Sequence, residues 1–146
     1  MKLKFIFLGK KNIDSFESII NKYLTRLNHY VKSEFFYLSE KNNRKLEDKV
    51  LSFIKPNEYF VVLDEHGELL STLEYVDFLK KKINNSSSII FLVGDAYGVP
   101  KTILNQANYL MSMSKMTLPH LIARLMIIEQ TYRGFTILNN HPYHHA

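Results

Sequence analysis

Two short stretches of this chain are apolar without alternation: Tyr59-Phe60-Val61-Val62-Leu63 and Ile89-Ile90-Phe91-Leu92-Val93. Runs of β-favouring residues that present no polar side chain to water read as strands covered on both faces, the signature of a parallel sheet between helices. The segments around them fit that frame. Leu3 to Leu8 is a short apolar run closed by Gly9, and Glu34 to Leu38 reads as a second strand. With Tyr59–Asp64 third and Ser88–Val93 fourth, Tyr109–Met113 makes a fifth.

Helical patterns fill the intervals. Phe16, Ile19, Ile20, Tyr23, Leu24, Leu27, Tyr30 and Val31 recur at helical spacing, with Asp14 as the expected N-cap and Glu17 three residues on. A polar helix is expected from about Asn43 to Ile54, ended by Pro56. Ser71-Thr72-Leu73-Glu74 is a capping box opening a helix through Ile83, which Asn84-Asn85 ends. Pro100 suits the first position of a further helix, and Pro119 opens one running to about Arg133. Strands alternating with helices predict one α/β domain over residues 1–146, with a mostly parallel sheet and helices on both faces. In the last helix Leu121, Ile122, Ala123, Leu125, Met126, Ile127 and Ile128 leave almost no polar face, which predicts cover by a second copy of the chain.

Composition closes off several function classes. The chain has no cysteine, which excludes disulfides, thiolate metal sites and cysteine nucleophiles and fits a reducing cytoplasm. No apolar run is long enough for a membrane span, and the basic start lacks the apolar core of a secretion signal. Charge is unevenly spread. Residues 1–55 carry 12 basic and 6 acidic side chains, residues 56–95 carry 3 and 7, and residues 96–146 carry 4 and 1. Basic ends flanking an acidic middle suit a polyanionic partner such as a nucleic-acid backbone, or form a solvated lysine-rich surface.

In open α/β sheets ligands bind beyond the carboxyl ends of the strands. Three loops fall there: Leu63 to Gly67, Gly94 to Gly98, and Ser114 to Pro119. The glycine spacing of the second matches neither the dinucleotide fingerprint nor the phosphate loop, so by itself it is as readily a plain turn. His141-Pro142-Tyr143-His144-His145 invites a metal, but carboxylate and cysteine partners are missing nearby, and no metal is expected. No Gly-x-Ser-x-Gly elbow occurs, and Glu65, Glu68, Glu74 and Asp77 lack the spacing of a hydrolytic pair.

Taken in order, the motifs resemble the RlmH-type ribosomal RNA methyltransferases of the SPOUT superfamily. The resemblance is carried by the Met-Lys-Leu start, Val62-Leu63-Asp64 with Gly67, and the Gly94 loop. Ser114-Lys115-Met116-Thr117-Leu118-Pro119-His120 leading to Arg124, Glu129-Gln130-Thr131-Tyr132-Arg133 and Asn140-His141-Pro142-Tyr143-His144 complete it. It spans essentially the whole chain, and its C-terminal third is the specific part. Relatives usually carry a small residue where Asp95 stands and a polar one at Tyr97.

The resemblance implies a C-terminal trefoil knot, which periodicity could not reveal. It also implies a homodimer and methylation of N3 of a pseudouridine in large-subunit ribosomal RNA on the assembled ribosome, with neither DNA nor membrane as partner. It implies S-adenosyl-L-methionine as cofactor, held by Leu63, Gly94, Ser114, Lys115, Met116, Thr117, Leu118 and Pro119. In that reading Leu63 with Met116 or Leu118 sandwiches the adenine, and Gly94 lets the main chain approach the cofactor. The weakly acidic N3–H must lose its proton. His144 and Tyr143 are the candidates to assist, with Arg124 or Arg133 holding a phosphate or the developing anion. A structural ion pair is an equal reading for both arginines, and Tyr132 is expected in the core. Two other readings share the fold: a non-catalytic RNA-binding or ribosome-assembly factor, and a knotted methyltransferase of transfer RNA.

Overall fold

The computed structural model describes residues 1–11, 15–85 and 87–145. Five strands, β1 (Lys2–Leu8), β2 (Lys32–Leu38), β3 (Tyr59–Leu69), β4 (Ile89–Val93) and β5 (Tyr109–Ser112), form one sheet in the order β2-β1-β4-β3-β5. Every pairing is parallel. The helices are α1 (Ser15–Leu27), α2 (Asn43–Ser52), α3 (Thr72–Asn84), the single turn α4 (Lys101–Leu104) and α5 (His120–Leu138).

The unalternating apolar runs are explained by two cores. Side chains of a strand point alternately to opposite faces. Leu3, Phe5 and Phe7 of β1, Val61 and Leu63 of β3, and Ile89, Phe91 and Val93 of β4 enter a core with α1, α3 and α5. Their neighbours Ile6, Leu8, Phe60, Val62, Ile90 and Leu92 enter the second core, under α2 and α4. The rings of Phe5 and Phe91, adjacent in register, stack with centroids 5.2 Å apart. Each such side chain removed from water contributes about 1.5–3 kcal/mol, so a polar residue at any of these positions would be costly on either face.

Helix starts follow their local chemistry. Ser71 accepts from the Glu74 amide while Glu74 Oε1 accepts from the Ser71 amide, the expected capping box at the head of α3. Asn42 caps α2 through the Lys45 amide. Pro100 and Pro119 stand one position earlier than the sequence suggests for Pro100: both are N-caps, with extended ψ of 140° and 145°. Asp14, the expected cap of α1, lies outside the described residues. Its expected companion Glu17 is buried instead, where its carboxylate accepts the hydroxyl of Tyr37.

Strand β2 begins two residues before the expected Glu34, at Lys32, and two other elements run well past the sequence pattern. Helix α5 continues five residues past Arg133 to Leu138, because Gly134 lies against Leu79 of α3 and Phe135 and Leu138 join the core shared with α1 and α3. Strand β3 does not stop at Asp64. Leu63 and Glu68 both align with Met111 of β5, so the four residues between them bulge out and the strand then rejoins the ladder to Leu69. A Cβ on Gly67 would lie 2.6 Å from the Leu110 carbonyl carbon, so only glycine lets the bulge return this close to β5.

Candidate active site at the strand carboxyl ends

Parallel pairing brings the carboxyl ends of all five strands to one edge. A cavity of about 670 Å³ opens there, beyond β3, β4 and β5. Its walls are the β3 bulge (Leu63, Asp64, Glu65), the β4 loop (Val93 to Val99), and β5 with its following loop into α5 (Met111 to Ser114, Met116 to His120, Ala123). Of the eight residues expected to hold the cofactor, seven line this one cavity: Leu63, Gly94, Ser114, Met116, Thr117, Leu118 and Pro119. Lys115 does not; it is exposed.

Short hydrogen bonds shape the walls. Thr117 Oγ1 donates to Glu65 Oε2 at 2.8 Å, joining the β5 loop to the β3 bulge across the cavity mouth. The Met116 amide donates to Ser114 Oγ, and Ser112 Oγ donates to the Ser114 carbonyl. In the β4 loop the Tyr97 amide donates to Asp95 Oδ1 at 2.8 Å and the Gly98 amide to the Asp95 carbonyl at 2.9 Å. This tight turn accounts for Gly94 differently from the sequence reading. A Cβ there would lie 2.8 Å from the Gly98 main chain and 2.9 Å from a Val99 methyl. Glycine is required because the loop folds back onto it.

His120 begins α5 on the cavity wall and was not singled out from sequence. Burial, and then the nearby Arg124 guanidinium, push its pKa below the ordinary imidazole value, with Asp95 opposing weakly. It is therefore neutral at pH 7. Its position directly after Pro119 in an expected cofactor loop was the available signal.

The expected catalytic residues are not gathered at the cavity. Arg124 is 1% exposed. Its guanidinium donates to the Leu8 carbonyl at 2.7 Å and the Lys10 carbonyl at 3.4 Å, and lies over the rings of Phe7 and Tyr37. The anion-holding role expected of Arg124 meets a side chain turned inward that holds the end of β1.

Tyr143 and His144 fold back onto the far half of α5. The Tyr143 hydroxyl donates to Glu129 Oε1 at 3.0 Å and lies 3.3 Å from the hydroxyl of Tyr23. Burial, then the bonds to Tyr23 and Glu129, hold the phenol well above its usual pKa, so it stays protonated. Arg133 pairs with Glu129 at 2.6 Å, lies over the Tyr143 ring, and places its terminal nitrogen 3.0 Å from His144 Nδ1. A guanidinium only donates, so Nδ1 is the acceptor and a neutral His144 carries its proton on Nε2. Tyr132 is buried, as expected, edge-on to Tyr143. From His120 to Glu129 and Arg133 the helix rises roughly 14–20 Å, which separates this cluster from the cavity of the same chain. Among the described residues no group of histidines and carboxylates has the geometry of a metal site.

Comparison with known proteins decides the family. The family model described as "Predicted SPOUT methyltransferase" matches residues 1–144. The chain belongs to the SPOUT methyltransferases. A curated relative, ribosomal RNA large subunit methyltransferase H of Parabacteroides distasonis, is 36% identical over 156 aligned positions, covering 99% of each chain. That places this SPOUT methyltransferase in the large subunit methyltransferase H group. In fold it is similar to a probable methyltransferase from Bordetella pertussis, with a TM-score of 0.64 at 8% identity over 91% of this chain and 93% of that one. It is also similar to the SpoU methyltransferase AviRb of Streptomyces viridochromogenes, solved in complex with the cofactor AdoMet. There the TM-score is 0.53 at 15% identity, over 89% of this chain and 56% of the other.

Proposed function

We propose that this chain transfers the methyl group of S-adenosyl-L-methionine to N3 of a pseudouridine in 23S ribosomal RNA, acting on the assembled ribosome in the cytoplasm. The observation that carries this reading is the convergence of three strand-end loops on one cavity, in a chain 36% identical to a large subunit methyltransferase H. The cavity suits the cofactor. Its volume is in the range of small-molecule sites, Leu63, Val93, Met111 and Leu118 offer apolar walls for an adenine, and Asp64, Glu65 and Asp95 set carboxylates against a cationic ligand.

The bound cofactor supplies an electrophilic sulfonium methyl. The chain's task is then to hold the acceptor base in line with it, exclude water, and help N3 shed its proton as the N–CH3 bond forms and the S–CH3 bond breaks. His120, held neutral at pH 7, would add no positive charge to the cavity wall against a cationic cofactor. Arg124 acts by positioning: it fixes the end of β1 beside the β4 loop.

The homodimer belongs to the same proposal. Leu121, Ile122, Leu125 and Met126 of α5 remain only half-buried in the single chain. A second copy packed on that face covers them, and can bring its Tyr143 and His144 tail to this chain's cavity. The family's trefoil threading of the C-terminal segment, and a single catalytic domain over residues 1–146, complete the reading.

The test is methyl transfer from labelled S-adenosylmethionine to ribosomes from a strain lacking the protein, with the product nucleoside identified by mass spectrometry. N3-methylpseudouridine is the expected product. Label on transfer RNA in place of ribosomes, or cofactor binding without any transfer, would sink it.

A further inference from the structure

The strand-end edge carries a second feature besides the cavity. Parallel order places the starts of α2, the β1 loop and α4 side by side over β2, β1 and β4, spanning two strand spacings, roughly 10 Å. Lys41, Arg44 and Lys45 at the start of α2, Lys10 after β1 and Lys101 at the start of α4 are all exposed. Among the described residues none of the five lies within ion-pair distance of an acid. At the opposite edge Lys2 pairs with Glu34, Lys4 with Glu58 at 3.5 Å, and Lys82 sits 3.4 Å above the Tyr59 ring, while Lys32, Lys55 and Lys81 are exposed at separate element ends. Arg44 and Lys45 also stand in the first turn of α2, which holds no acid and where the helix dipole opposes cations. Past β4 the sign reverses, with Asp64 and Glu65 on the far cavity wall.

Tyr97 marks the boundary. The residue is 98% exposed, although the Asp95 turn fixes its main chain beside the cavity. An aromatic ring this exposed at the edge of a ligand cavity is suited to stacking on an incoming base.

We propose that the exposed cations over β2, β1 and β4 form a phosphate-binding track for a single-stranded RNA segment, and that Tyr97 stacks on the base delivered from it into the cavity. This rests on the reading of the chain as an RNA methyltransferase. The track attracts backbone phosphates, the acidic wall beyond repels them, and the strand is thereby stopped where its base meets the methyl donor. The track supplies affinity without sequence information, which is left to the cavity and the ribosome's shape.

The test compares the full-length protein with the triple variant Lys41→Gln/Arg44→Gln/Lys45→Gln, with Tyr97→Ala and Tyr97→Phe, and with the control Lys32→Gln/Lys55→Gln/Lys81→Gln, which removes equal charge from the opposite edge. Two readouts are taken: methyl transfer to ribosomes across a salt series, and direct binding of a short fluorescent single-stranded RNA without cofactor. The track triple should raise KM about tenfold or more and make the salt dependence shallower by roughly two to three units of slope, with kcat and cofactor affinity unchanged. Tyr97→Ala should weaken RNA binding roughly five- to a hundredfold, and Tyr97→Phe should restore it. A control triple as damaging as the track triple, or a track triple that matches wild type in both readouts, overturns the inference. A wild type that binds the RNA through the track but methylates no ribosome leaves the track standing and removes the proposed function; one that binds no RNA removes the track.

Discussion

The two ends of α5 carry the two sets of residues expected to do chemistry, and they are built in opposite ways. At its start, the cavity wall is loop: a strand bulge, a four-residue turn and a short connection, joined by few bonds and open to a ligand. Toward its end, Glu129, Arg133, Tyr143, His144 and Tyr23 satisfy one another within a single chain. The open end has capacity for a ligand without rearrangement. The closed end can take part in chemistry only by exchanging these bonds for others, with substrate or with a partner's cavity.

The sharpest way to break that contrast is to fill the open end. Gly94→Val forces a side chain into the Gly98 main chain, so the turn must move off the cavity. Cofactor affinity by calorimetry should fall a hundredfold or more, on the order of 3 kcal/mol, while the tail cluster is untouched. Affinity within a few-fold of wild type would mean that the turn does not shape the site.

Glu129→Gln attacks the other end. It removes the charge that Arg133 and Tyr143 share, and half-burial of the pair limits the cost to about 1–2 kcal/mol in denaturant unfolding. Cofactor affinity should stay unchanged while methyl transfer alters. Were cofactor affinity to fall as far as with Gly94→Val, the two ends would be one site.

The smallest effect concerns pH. His120 has a folded pKa below the ordinary 6.5, so its contribution to stability is complete above that value and is lost as pH falls through the lowered one. Binding of a cationic ligand should weaken over the same acid range, by a few-fold, as imidazolium forms beside it. His120→Gln should flatten both profiles. An unchanged pH profile in that variant would assign the effect to Asp64, Glu65 or Asp95.

The layout of the sheet was legible because its signals are local. Unalternating Val61-Val62-Leu63 and Ile90-Phe91-Leu92 announce strands covered twice, and the loops that line the cavity follow from where such strands end. What escaped depends on distant partners. The β3 bulge reads as a loop because Asp64-Glu65-His66 is polar; only Met111, which meets both Leu63 and Glu68, makes it a strand interrupted and resumed. Arg124 reads as an anion holder or an ion-pair partner until Leu8 and Lys10 present carbonyls to it, and the closeness of Gly98 to Gly94 appears only when the loop folds back.

The grip of Arg124 on Leu8 spans 116 positions of sequence, joining the first strand to a helix made after every strand. The cavity draws a wall, Leu118, Pro119, His120 and Ala123, from the same late segment. Without α5, therefore, the cavity lacks a wall and the end of the first strand loses its tie, so one late segment closes both.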